Sequence, residues 1–74
     1  MAIDPADEGG ILLVDARGMR CPWPALRLAR AMRGADDVRL IADDPQAGRE
    51  VAALAAEQGW TIDVEGADNW RVRR

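Results

Sequence analysis

Two segments of this chain carry helical periodicity, and each is apolar along one stripe only. In the first, Ala25, Leu28, Ala29 and Met32 recur at i, i+3, i+4 and i+7, with Arg27, Arg30 and Arg33 off the stripe. In the second, Val51, Leu54, Ala55 and Gln58 line one side, joined by Ala47. A helix with one dry stripe covers one surface and leaves its other side to water. Two such helices therefore predict a single layer laid on one face of a sheet. A chain of 74 residues has room for one such domain and a thin core.

The strands are legible between the helices. Ile11-Leu12-Leu13-Val14 is an apolar run bounded by Gly10 and Gly18 and predicts a buried strand. Val38, Leu40 and Ala42 alternate with Arg39 and Ile41. Trp60, Ile62 and Val64 alternate with Thr61, Asp63 and Glu65, and Trp70 and Val72 with Arg71 and Arg73. Pro22 is placed at the first position of the first helix with Cys21 as its N-cap, and Gly34 ends that helix. Asp44 is read as the N-cap of the second helix with Pro45 after it, and Gly59 closes it. The order is β-α-β-α-β-β. It predicts an α+β fold, a two-layer α/β sandwich with a mixed four-stranded sheet and both helices on one face. The first two βα units imply parallel pairing and the last two strands an antiparallel hairpin, in which the acids of one strand face the arginines of the other. Trp60 and Trp70 are read as core. Residues 1–10, with Pro5, two glycines and three acids, are expected to be a loose tail, and residues 11–74 the single domain.

Composition narrows the chemistry. There is one cysteine and no histidine, and all ten basic residues are arginine. An internal disulfide, a multi-cysteine zinc site, a histidine base and a lysine Schiff base are thereby excluded. Asp43 and Asp44 supply too few ligands for a metal, and no cofactor is called for. A net charge of −3 disfavours direct nucleic-acid binding. No apolar run approaches the ~20 residues that span a bilayer, and the first ten residues lack the basic and apolar regions of a secretory signal. A reducing, cytoplasmic setting is expected.

What remains is the segment Arg17-Gly18-Met19-Arg20-Cys21-Pro22-Trp23-Pro24. Gly18 is the expected positive-φ residue of a turn. Pro22 and Pro24 have no N–H, so the Trp23 N–H is the first-turn donor best placed to meet the Cys21 sulfur. The helix terminus, Arg17 and Arg20 would all favour an anion there. These are conditions that lower a thiol pKa below ~8.5 and make it nucleophilic. The plainer reading is a small buried cysteine that only shapes the helix start, in a non-catalytic interaction or regulatory module. Trp23 is either a partner-facing anchor or folded onto Met19 or Leu26. Arg27, Arg30 and Arg33 form either a docking strip for an acidic partner or a solvated face. Asp15 is in reach of the Arg17-Gly18 turn backbone.

The pattern Asp15-x-Arg17-Gly18-x-x-Cys21-Pro22-x-Pro24 resembles the signature of the TusA/SirA family of small sulfur carriers. The resemblance extends to Ala42-Asp43-Asp44-Pro45 and to the terminal hairpin. It implies a sandwich similar to the C-terminal domain of bacterial translation initiation factor three. It also implies a sulfurtransferase role in which Cys21 takes sulfane sulfur as a persulfide. The sulfur would come from a cysteine desulfurase or rhodanese-like protein and pass to an acceptor protein. Recipients in the family serve tRNA thiolation, molybdenum-cofactor enzymes or sulfur oxidation. The sequence departs from the common pattern in having Trp23 at the variable position and a stretch from Cys21 to Pro45 about one helical turn shorter. On this reading Cys21 is the reacting residue, and Arg17, Gly18, Arg20, Pro22, Trp23 and Pro24 surround it.

Overall fold

A parallel pair organises the sheet. Strand β1 (Leu12–Asp15) lies beside β2 (Asp37–Ile41) with Leu12 opposite Val38 and Asp15 opposite Ile41. Helix α1 (Trp23–Met32) makes the crossover between them. Helix α2 (Ala47–Gln58) follows β2, and the hairpin β3 (Thr61–Gly66) and β4 (Asn69–Arg73) completes the chain. The strand order is β1-β2-β4-β3, with β4 antiparallel to both neighbours. The computed structural model describes residues 11–74, and the expected tail at 1–10 lies outside them. The fold is the α+β arrangement that the one-striped helices require.

One face of the sheet supplies Val14, Val38, Leu40, Trp70 and Val72 to the core. The helices answer with Leu28, Met32, Ala47 and Val51. Leu28, Met32, Leu40, Val38, Val51 and Val72 are the largest fully buried side chains. At an apolar contribution of roughly 1.5–3 kcal/mol per buried side chain, this small set is the main favourable term in so short a chain. The opposite face is a lattice of charge. Arg71 makes a two-pronged pair with Asp37 (3.0 and 2.7 Å), Arg73 reaches Asp63 (2.6 Å), and Arg39 reaches Glu65 (2.9 Å).

Several sequence expectations need correction. The first strand runs 12–15, and as an edge strand it buries one side only, so Leu13 lies on the open face. Arg71, expected to pair within the hairpin, binds Asp37 on β2, because β4 has β2 on its other flank. Trp70 is core, but Trp60 is only half-buried and Val64 is exposed, since the edge strand β3 extends past the cover of the helices. Gln58, at the end of α2, is exposed. Gly59 does close α2 in the left-handed conformation (φ 75°), and the Trp60 N–H donates back to the Ala55 carbonyl (2.8 Å). Gly34 is not left-handed. Helix α1 ends instead through tight bonds from Arg33 to Arg30 and from Gly34 to Ala31, and an Arg74 side-chain N–H donates to the Met32 carbonyl.

Helix α2 packs close to β4 at Gly48, where an added Cβ would stand 3.1 Å from the Trp70 ring. Trp70 is buried and has little room to retreat. Replacing Gly48 with Leu is expected to cost about 1–3 kcal/mol through overpacking, despite the better helix propensity of leucine. Urea unfolding followed by tryptophan fluorescence measures this directly.

Candidate functional site

Because β1 and β2 are parallel and in register at Asp15 and Ile41, the loops leaving their C-terminal ends emerge side by side. This end of parallel strands is where open α/β sheets place their sites. The first loop carries Cys21 and the second carries Asp43 and Asp44. Residues 16–19 form a turn closed by the Met19 N–H on the Ala16 carbonyl (3.2 Å), with Gly18 at φ 82°. The Gly18 N–H donates to Asp43 Oδ1 (2.9 Å). Two residues on, the Cys21 N–H donates to Asp44 Oδ2 (2.9 Å), while Asp44 Oδ1 accepts from the Gln46 N–H (2.7 Å). These two backbone bonds hold the Asp44 carboxyl below its ordinary range.

Asp44 therefore does more than the capping assigned to it from sequence. It shapes the turn before α2, whose Ala47 N–H meets the Asp44 carbonyl (2.9 Å), while the N-cap position by backbone geometry is Gln46. Its second oxygen ties the cysteine loop to that turn. A bond between residues 23 apart leaves no trace in the spacing of the sequence. The nearest signal was the acidic pair itself, standing at the end of a strand parallel to the one before Cys21.

The start of α1 also differs from expectation. Helix α1 begins at Trp23 with Pro22 as N-cap and no side-chain cap, and the Cys21–Pro22 peptide is cis. The Trp23 N–H donates to the Arg20 carbonyl (2.8 Å) and is not available to the sulfur. Pro24 is fully buried and fixes the first turn against the core, whereas Pro22 and Trp23 face solvent. Trp23 is 60% exposed and lines an open groove between α1 and β1 with Leu12, Met19, Leu26, Arg27 and Arg30.

Cys21 itself is half-buried and its thiol is free. Its surroundings invert the electrostatics expected from sequence. Burial pushes the thiol pKa up, and the carboxylates of Glu50 and Asp44 push it further. Arg17 does not supply a counter-charge. Its guanidinium makes two bonds to Asp15 (2.9 and 2.8 Å), and its backbone N–H makes a third (3.1 Å). That guanidinium holds Asp15 at about 2. Among the described residues no salt bridge engages Arg20. The expected arginine cradle for a thiolate is thus absent among the described residues. Glu50, in the first turn of α2, is a charge acting on the thiol that sequence reading missed.

Among the described residues no group of three or more histidine, cysteine, aspartate or glutamate side chains comes together to hold a metal. No described helix is long and apolar enough to cross a membrane.

The two bonds to Asp44 yield a testable pH signature. A carboxylate whose pKa is lowered by folding contributes stability above its unfolded value of 3.8, and that contribution is lost as pH falls through the lower folded value. Asp44→Asn is expected to flatten stability against pH in this acid window. Asp44→Ala is expected to speed hydrogen exchange at the Cys21 amide at neutral pH. Denaturant titrations from pH 2 to 6 and amide exchange by NMR check the two effects.

The sequence matches the family model described as sulfurtransferase TusA over residues 13–73. A crystal structure of a SirA-like protein from Desulfitobacterium hafniense matches with a TM-score of 0.66 and 24% identity, covering 84% of this chain and 90% of that one, and shares its fold. No curated protein matches the chain. With the family match spanning both helices, the hairpin and the loop that carries the thiol, this chain belongs to the TusA family of sulfurtransferases and has that family's general character of a sulfur carrier.

Proposed function

We propose that the chain carries sulfur as a persulfide on Cys21 and passes it between two larger proteins. The observation that carries this reading is the placement of its one thiol. Cys21 is half-exposed, in a loop pinned at Gly18 and Cys21 by Asp43 and Asp44, beside the mouths of both helices. The Cys21 thiolate attacks the terminal sulfur of a donor persulfide, a new S–S bond forms, and the donor's S–S bond breaks as its thiolate leaves. The acceptor's nucleophile then removes the terminal sulfur, and Cys21 departs as thiolate. Neither step needs a metal or a net oxidant. Since the chain has no second cysteine, no internal thiol can discharge the persulfide.

The proposed donor is a cysteine desulfurase or a rhodanese-like protein in the cytoplasm, and the acceptor is a downstream sulfur-accepting protein. The proposed contact surface is exposed Trp23 and its groove, rimmed by Arg27 and Arg30, with Arg33 at its end. An aromatic anchor flanked by arginines suits a partner with an acidic rim. Arg17, Gly18, Arg20, Pro22 and Pro24 act on this reading as the frame of the loop, not as ligands of the sulfur.

One observation favours a second reading. The raised thiol pKa is what a cysteine kept for packing in an interaction module would show. Incubation with a cysteine desulfurase and free cysteine, followed by peptide mass spectrometry, separates the two. The carrier reading expects one added sulfur on Cys21 and none on Cys21→Ser. No addition to the wild type, or equal addition to both, supports the module.

A further inference from the structure

In the order β1-β2-β4-β3, strand β1 has a neighbour on one side only. The Ala16 N–H donates to the Ile41 carbonyl (2.7 Å), and backbone groups alternate sides along a strand. Leu13 and Asp15 therefore point their N–H and C=O groups away from β2, toward the outer edge. Among the described residues no turn, loop or side-chain hydrogen bond takes up the N–H of either. The groove beside this edge is lined by Leu12, Leu13 and Val14 in succession. Successive side chains of a strand face opposite ways, so three in a row make the strand's edge, not one of its faces, the wall. The facing wall is α1, from Trp23 and Leu26 to Arg27, Arg30 and Arg33, and the groove of about 990 Å³ has room for a segment of chain. The charge along that wall has one sign. Between Asp15 and Asp36 the sequence holds five arginines and no acid, in a chain of net charge −3. Arg17 is bound to Asp15, but Arg27, Arg30 and Arg33 are exposed and make no salt bridge among the described residues. Spaced three residues apart, they follow one another at roughly 4.5 Å along the helix axis.

We propose that the β1 edge takes up an extended acidic segment of a partner protein as an added strand, held against α1 by Arg27, Arg30 and Arg33. The proposal deepens the sulfur-carrier reading and rests on it for the partner's role as donor or acceptor. The added strand satisfies the open backbone groups of Leu13 and Asp15, as strand addition at a free sheet edge does. Its side chains alternate. Acids on one face meet the arginine row, and apolar residues on the other lie beside Leu13, which is 38% exposed. Met19 and Trp23 line the same groove, and each stands two residues from Cys21, so a docked strand brings its bearer to the loop of the thiol. A second copy of this chain does not suit the edge, because pairing two β1 strands sets one arginine row beside the other. The same charges repel a basic segment.

Amide exchange by NMR in the full chain at neutral pH tests the added strand. The probe is a capped octapeptide of alternating glutamate and valine. At saturating peptide the Leu13 and Asp15 amides are expected to exchange about tenfold more slowly or less. The Val14 amide, already directed at β2, is the internal reference. The double variant Arg27→Glu, Arg30→Glu is expected to bind the peptide about tenfold more weakly. Both side chains are exposed, and the same spectra show whether the variant is folded. The octapeptide N-methylated at its two central residues keeps its charge but loses the strand edges there, and it is expected to give no protection. An octapeptide of alternating lysine and valine is expected not to bind. Unchanged exchange at both amides overturns the proposal, and so does equal binding of the N-methylated peptide, which would show charge attraction alone. Slow exchange at both amides before any peptide is added would place this chain itself or a second copy on the edge and would overturn it too. Sulfur loading of Cys21 from a desulfurase is read separately. Loading without strand addition leaves the carrier reading and removes this one; strand addition without loading sinks the carrier reading and leaves the edge as an interface.

Discussion

The Asp44 carboxylate accepts one backbone N–H from the cysteine loop and one from the turn that opens α2, and the geometry of the site follows from this bridge. Cys21 sits between a glycine turn and a proline-led helix and has no cap of its own to fix it. Asp44 and its neighbour Asp43 supply the missing constraint from across the sheet, by bonding Cys21 and Gly18 at 2.9 Å each. Hydrogen bonds to a charged acceptor are among the stronger polar contacts. The bridge is possible only because β1 and β2 run parallel, which brings their following loops together. Fold and site are therefore joined at one side chain.

The same bridge has an electrostatic consequence. It places a carboxylate against the cysteine, and the first turn of α2 adds Glu50. A helix N-terminus favours anions in its first turn, yet here two fixed anions already occupy the space beside the sulfur. The site thus holds the cysteine loop in place, while burial and the carboxylates of Glu50 and Asp44 push the thiol pKa up. The groove beside Trp23 and the groove between the helices both border α1, where Leu26 and Ala29 line each of them.

The architecture was largely legible in the sequence because it rests on periodicity. The stripes of α1 and α2, the alternation at Val38–Ala42 and Trp70–Val72, and Gly18 and Gly59 as positive-φ residues are all local patterns, and the structure has them. The errors lie where local pattern meets tertiary context. Val64 belongs to an alternating strand, but the helices end before they cover it. Arg71 was paired within its hairpin because the neighbour on its other side is set by the strand order, which inserts β4 between β2 and β3. The charges around the cysteine differ from those its sequence neighbours suggest. Arg17 is near it in sequence but is paired with Asp15, whereas Glu50, 29 positions away, helps push the thiol pKa up.

The most direct test of this account is a titration of the Cys21 Cβ carbon by NMR in protein labelled at cysteine, where a single residue reports. The account predicts a midpoint above the ~8.5 of a free cysteine. It also predicts that the midpoint moves down when Glu50 is replaced by Gln. A midpoint below that value in the wild type would show a thiolate already formed at rest and would contradict the arrangement described here.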